Sequence, residues 1–249
     1  MNYDRITTSI NEPDQDAVVT YTDDTDETIV GKVPVVPGNN VDPSAGITLT
    51  LKSLTVSNTT TEGHTGSAER NGDAISTGST QGTSEWKDPT TGGVHLAVSG
   101  DVSITDRTHA LQAAFNNNID GTIGGNLTID SKGIGLQAQA GTHDATIDRG
   151  ILLTLNGGEA SITTTGYGIE TDNSSATVKI EGASKTTITS EDVAIYTAGG
   201  GEVDILGSGK GGAGGSVVVE STNEGTPYAV MATQEGIVAL QAGSVKVQK

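Results

Sequence analysis

Few side chains in this 249-residue sequence have the type and spacing to do chemistry. The four histidines, His64, His95, His109 and His143, stand far apart beside Gly, Thr or Asp. They lack metal-ligand spacing and read as surface residues in turns. No GxSxG, HExxH, Walker loop or GxGxxG precedes a helical pattern, and no helical pattern is found. Gly199-Gly200-Gly201-Glu202-Val203-Asp204 approaches the calcium-binding nonapeptide, but Glu202 stands where Gly is required and no tandem copy follows. It reads as a corner entering a strand. The run Asp23-Asp24-Thr25-Asp26-Glu27 offers oxygen ligands to a hard cation but lacks EF-hand spacing and its Gly, so it reads as a solvated acidic loop. No cofactor is expected, calcium being the one cation these oxygens would suit, and no catalytic or metal-binding residue is assigned.

Polysaccharide cleavage would need a general acid/base pair, or a Lys or Arg base with bound calcium, clustered on one face. The acids expected to point outward from strands, Asp130, Glu170, Asp204 and Glu220, fall on different faces and are mixed with Thr and Gln. Sugar subsites usually carry aromatics, and Trp86, Tyr167, Tyr196 and Tyr228 are too few to define one. Tyr167 and Tyr196 stand at or beside equivalent repeat positions, two coils apart, which would set them along one face in a packing role. Asn58-Thr59-Thr60, Asn126-Leu127-Thr128 and Asn173-Ser174-Ser175 match the glycosylation pattern, as chance allows in so Thr-rich a chain, and carry no weight.

The elements that would position these residues announce themselves as a repeat. A first motif, small-aliphatic-any-small, recurs at Ala110-Leu111-Gln112-Ala113, Gly135-Leu136-Gln137-Ala138, Gly168-Ile169-Glu170-Thr171, Ala194-Ile195-Tyr196-Thr197, Ala229-Val230-Met231-Ala232 and Ala239-Leu240-Gln241-Ala242, with Ala74-Ile75-Ser76-Thr77 as an earlier copy. A second run precedes it and ends aliphatic, polar, then usually Ser or Thr, as in Leu127-Thr128-Ile129-Asp130-Ser131 and Thr187-Ile188-Thr189-Ser190. A third follows, as in Leu153-Thr154-Leu155, Val178-Lys179-Ile180, Val203-Asp204-Ile205 and Val245-Lys246-Val247. The markers Ile104, Ile129, Ile162, Ile188 and Val219 are spaced by 25, 33, 26 and 31 residues. A core period of about 25 with variable insertions is the signature of a solenoid, in which extra residues leave at the corners. Period-two alternation puts Val178 and Ile180 on one face, and strands this short bury that face only by stacking on the coils above and below.

Composition agrees. With 3% aromatics and 35 Gly, the interior must be thin layers of Val, Ile, Leu, Ala and Thr. A β-sandwich would also show short strands but does not predict three strand types in fixed order. The net charge of −18 makes phosphate backbones and anionic membranes poor partners. There is no cysteine, no apolar run long enough to span a membrane as a helix, and no signal-like start.

From about Gly100 onward the chain resembles the passenger domains of bacterial type V autotransporters of the β-helical, adhesin-like kind. The resemblance rests on Gly166-Tyr167-Gly168-Ile169, on Ala176-Thr177-Val178-Lys179-Ile180-Glu181-Gly182 and on Thr187-Ile188-Thr189-Ser190-Glu191-Asp192-Val193-Ala194-Ile195. It implies a right-handed parallel β-helix on the outer surface of a diderm bacterium, with a signal peptide and β-barrel outside this sequence. Without heptads, the trimeric subclass is not expected. The expected organisation is a cap or partly extended segment over 1–45 and a three-stranded β-helix over 46–249, with long loops in 59–91. Val245-Lys246-Val247 followed by two residues and no cap suggests a piece of a longer protein. The expected function is a non-enzymatic adhesin fragment that attaches to host glycans or proteins or to its own copies, as in aggregation and biofilm formation. A polysaccharide lyase or hydrolase and a ligand-free stalk segment are the alternatives, and no ligand-binding residue can be named.

Overall fold

The computed structural model describes residues 6, 9–21, 26–35, 46–58, 73–77, 93–106, 108–114, 118–139, 149–172 and 176–249. Strands β1 (Ile10–Tyr21), β2 (Asp26–Val30) and β3 (Val33–Val35) come first, then β4 (Ile47–Asn58) and β5 (Ile75–Thr77). Sets of three follow. They are β6 (Gly93–Val98), β7 (Val102–Asp106) and β8 (His109–Ala114); β9 (Asn118–Ile123), β10 (Leu127–Ser131) and β11 (Ile134–Gln139); β12 (Arg149–Leu155), β13 (Glu159–Thr164) and β14 (Ile169–Asp172). Next come β15 (Ala176–Ala183), β16 (Lys185–Ser190) and β17 (Ile195–Ala198), then β18 (Glu202–Gly207), β19 (Ser216–Ser221) and β20 (Val230–Ala232). The chain closes with β21 (Ile237–Gln241) and β22 (Ser244–Gln248). Among the described residues the one helical piece is a 3-10 turn at Lys210–Gly212.

From β4 onward strands pair in parallel with the strand three places along, so the protein is nearly all β with large parallel sheets, the arrangement of a parallel β-solenoid. One ladder runs β6-β9-β12-β15-β18-β21 and a second runs β7-β10-β13-β16-β19-β22. The 12-residue β4 joins them: its first half pairs with β6 and its second half with β7. The third ladder, β5-β8-β11-β14-β17-β20, is a separate sheet. On its other edge β4 pairs in parallel with β1, while β1–β2 and β2–β3 are antiparallel. Val19 and Tyr21 of β1 are buried. The acidic, Thr-rich stretch after Asn11 thus contains a long strand.

Register stacks like on like. Ile104, Ile129, Ile162, Ile188 and Val219, the sequence markers, form one buried column of the second ladder. Ile151, Val178 and Val203 stack in the first, and Leu111, Leu136, Ile169 and Ile195 in the third. Each such aliphatic contributes about 1.5–3 kcal/mol by leaving water. The third column also explains the small residue preceding each aliphatic. A Cβ on Gly135 would stand 2.7 Å from Ile162 Cγ2, and one on Gly168 would strike Ile188 Cγ2. The interior is too narrow for a second branched layer there.

Ile75 pairs with Leu111, so Ala74-Ile75 is the expected early copy. Residues 59–72 and 78–92, expected as loops, lie outside the described residues. Two assignments need correction. Val245–Val247 pairs with Val217–Val219 and belongs to the second ladder; Ala239-Leu240 pairs with Asp204-Ile205 and belongs to the first. Both strand types alternate aliphatic and polar, and only register tells them apart. On these last strands Ile237, Val245 and Val247 are exposed.

Candidate functional site: an outer corner and a buried acidic corner

The turn from the second to the third ladder is built the same way on successive rungs. The residue ending each second-ladder strand points inward and stacks in register: Asp106, Ser131, Thr164, Ser190, Ser221, all buried. On the rungs of Ser131, Thr164 and Ser190 its hydroxyl ties down the turn that follows. The Ser131 Oγ donates to the Ile134 carbonyl (3.1 Å) and accepts from the Gly133 N–H (3.0 Å). Thr164 Oγ1 donates to the Gly166 carbonyl (2.8 Å), and Ser190 Oγ accepts from the Asp192 N–H (2.8 Å). This is the local side-chain-to-backbone bonding that suits Ser and Thr to turns.

With the turns fixed, their outward residues line an open cleft of about 640 Å3 formed by Thr165, Glu191, Asp192, Thr222, Asn223 and Glu224. Thr226 Oγ1 donates to Asp192 Oδ1 at 3.4 Å. Beside it the rings of Tyr167 and Tyr196 stack, with centroids 5.0 Å apart and planes 13° from parallel. Burial pushes the Tyr167 hydroxyl above its ordinary pKa, and the charges of Asp192 and Glu170 add to the effect. The two tyrosines share one face as expected, but they lie on neighbouring rungs, since Glu170 and Tyr196 pair directly.

Next to the tyrosines runs a ladder of amides. Gln112 Nε2 donates to Gln137 Oε1, and Gln137 Nε2 donates to Glu170 Oε2 (2.5 Å). Gln112 and Gln137 are buried although they alternate with the core residues of their strands. Burial raises the Glu170 pKa, against the pull of the Gln137 amide and His109. The other acids considered from sequence do not converge. Asp130 and Glu220 share one column of the second ladder with Thr163 and Thr189 between them. Asp204 lies on the first ladder beside Lys179.

The histidines correct the sequence reading. His95 lies on β6, exposed, with Nδ1 2.7 Å from Asp120 Oδ1. His109 lies on β8, its side chain only 13% exposed, with Nδ1 2.7 Å from Oδ1 of a fully buried Asp73. Neither is in a turn, and His109 is not a surface residue. Nothing in the local sequence marks it, because Asp73, its partner, is 36 residues away. Asn58 Nδ2 donates to the Asp73 carbonyl at 2.5 Å, while Asp73 Oδ2 and both Asp106 carboxyl oxygens have no hydrogen-bond partner. Burial pushes the Asp106 pKa up to about 8; the Ser131 hydroxyl, near it but outside hydrogen-bonding geometry, opposes the rise, Asp73 adds to it, and the Thr108 backbone and Asp130 follow with smaller effects of opposite sign.

Gly199 and Gly200 take positive φ (62° and 83°) at the corner before β18, the entry to a strand that the sequence indicated. Asn126, in one of the glycosylation-like triplets, uses its Oδ1 to accept the Glu159 N–H. His64, Trp86, His143 and most of the Asp23–Glu27 run lie outside the described residues. Among the described residues no three His, Asp or Glu side chains meet in a way that could hold a metal ion, and no helix is long and apolar enough to cross a membrane. Comparison with known proteins finds no match, whether among family models, curated proteins or solved structures.

Proposed function

We propose that the protein is a surface-displayed recognition rod, an adhesin-like passenger module that holds polar side chains in register for a host glycan, a host protein or a neighbouring copy. The observation that carries this reading is the outer corner: three successive turns, the first two pinned from inside by Thr164 and Ser190, stack their polar residues into one open cleft beside a tyrosine pair. Such a surface binds by hydrogen bonds and shape. Its carboxylates, Glu191, Asp192 and Glu224, disfavour anionic ligands and suit a neutral polyol or a basic protein segment. The solenoid is taken as right-handed, the hand of nearly all parallel crossover connections within one sheet, with seven rungs counted along the second ladder from β4 to β22. The lack of cysteine and the marked acidity suit export through an outer-membrane barrel and display outside a bacterial cell.

The test is binding of the purified chain to an array of glycans and matrix proteins, with and without calcium, together with sedimentation to detect self-association. Saturable binding without loss of the glycan is expected, weakened by Asp192→Ala. Product release would overturn this reading in favour of a lyase or hydrolase, and silence in both assays would leave a stalk.

A further inference from the structure

Strand β5 is the edge of the third sheet and one of its shortest members. Three residues pair it to β8: Ile75 with Leu111, Ser76 with Gln112 and Thr77 with Ala113. Its entry is held by three further bonds. The Ala74 N–H donates to the His109 carbonyl (2.9 Å), Asn58 donates to the Asp73 carbonyl, and the Asp73 carboxylate accepts from His109 Nδ1. Close by, Asp106 occupies a place that the next rungs fill with Ser131, Thr164, Ser190 and Ser221.

The corner's charge can be counted. From the entry to β5 comes Asp73, from β7 Asp106, and from β8 His109 and the uncharged Gln112. β4 supplies Asn58, and β10 supplies Ser131 and the exposed Asp130, whose neighbour Lys132 sits at the surface 4.0 Å from it. From β14, Glu170 acts on His109. Among these described groups only His109 can place a positive charge against the two buried acids. With Asp106 protonated, the corner buries a single carboxylate, that of Asp73, with its Oδ1 against His109 Nδ1. With Asp106 ionised, a second carboxylate is buried facing only the Ser131 hydroxyl and the Thr108 backbone, neither of which bonds it in the closed form, and a low-dielectric interior does not tolerate that.

We propose that Asp73, Asp106 and His109 form a proton-operated latch on β5, which holds the strand in the third sheet while Asp106 carries its proton and frees it, baring the edge of β8, when that proton is lost. An acid that keeps its proton only when buried binds protons more tightly in the closed form. Closure is therefore fully stabilised in acid, weakens from the ordinary carboxylate range upward, and has lost this contribution by about pH 8. A bared parallel edge is a template for an added strand.

Amide hydrogen exchange on the whole 249-residue chain tests this, after correction for the intrinsic base-catalysed rate. Protection of residues 75–77 and 109–114 should fall by up to about tenfold per pH unit between pH 5 and 8 and level off above, while Asp106→Ser, the residue of the next rung, should remove the slope. A flat profile in the unaltered chain, or the same slope in the variant, overturns the proposal. If Asp106→Ser does not fold, Asp106→Asn replaces it. Carbon-13 titration of the Asp106 carboxyl in the unaltered chain decides independently, since a midpoint in the ordinary carboxylate range overturns the latch.

Discussion

Asp106 lies directly opposite Ser131 in the parallel register of β7 and β10, an acid heading a column whose next four members carry hydroxyls. A hydroxyl at that place both donates and accepts within the turn, as Ser131 does. A carboxylate can only accept, and an acid kept neutral by burial must give up the more favourable ionisation available to the unfolded chain.

Replacement of Asp106 by Ser should therefore raise stability, and by an amount that depends on pH. The folded-state pKa of about 8 stands above the ordinary value of 3.8, so the cost is absent below about pH 4, grows through the neutral range and is complete above pH 8. At about 1.4 kcal/mol per unit the ceiling is roughly 6 kcal/mol, and relaxation around the carboxyl lowers it. Urea denaturation at pH 4 and pH 8.5 gives the answer: nearly equal midpoints at pH 4 and a clear gain for Asp106→Ser at pH 8.5. Equal midpoints at both values would mean that Asp106 is ionised and satisfied in the fold.

The small residues of the third ladder give a second prediction. The backbone carbonyl of Ala194 lies 2.5 Å from where a Gly168 Cβ would stand, and Ile188 Cγ2 closes the other side. Gly168→Val should cost more than the about 1–3 kcal/mol usual for overpacking, because the carbonyl cannot yield as a side chain can. Gly168→Ala should be milder and should recover part of its loss when combined with Ile188→Ala, which removes the Cγ2 methyl, a non-additivity that thermal unfolding of the single and double variants measures.

The rungs were legible in the sequence because a solenoid writes its register as repetition. Ile104, Ile129, Ile162, Ile188 and Val219 identified themselves as one column before any pairing was known, and the insertions between them leave at corners, such as the turn at Lys210–Gly212 between β18 and β19. What the repeat could not reveal are the departures from it. The Asp73–His109 contact joins residues 36 apart that belong to no motif, and the cleft is made of turn residues that keep no fixed pattern, with Thr165, Glu191 and Thr222 at the equivalent position of successive rungs. On the last rung Leu240 and Val247 match two strand patterns equally well, and the pairing alone assigns them.

That register can be checked chemically, since the chain has no cysteine of its own. Thr163 and Thr189 stand opposite each other on the outer face of β13 and β16. Their Cα atoms should lie about 4.8 Å apart, inside the range a disulfide bridges. Thr163→Cys with Thr189→Cys should cross-link readily under mild oxidation. Ser161→Cys with Thr189→Cys, two residues out of register and about 8 Å apart, should not. Equal cross-linking of both pairs would refute the pairing of β13 with β16.

The cleft offers the sharpest separation of recognition from architecture. Asp192 accepts from Thr226 and lines the outer corner, while the inner pins, Thr164 and Ser190, bond to the turn backbone. Asp192→Ala removes an acceptor in a solvated site with one long hydrogen bond, so it should cost less than about 1 kcal/mol of stability. Ser190→Ala removes the hydroxyl that receives the Asp192 N–H and leaves that turn unpinned, at about 1–2 kcal/mol. If the corner is a recognition surface, the milder change should weaken ligand binding or self-association at least about tenfold, the loss of one charge-assisted hydrogen bond. The ordering is the test: stability should fall further for Ser190→Ala, affinity further for Asp192→Ala. Were affinity to follow stability in both variants, the corner would be a structural edge and the contact would have to lie on the Thr and Ser columns of the second ladder, where Thr187 and Thr189 face outward on β16.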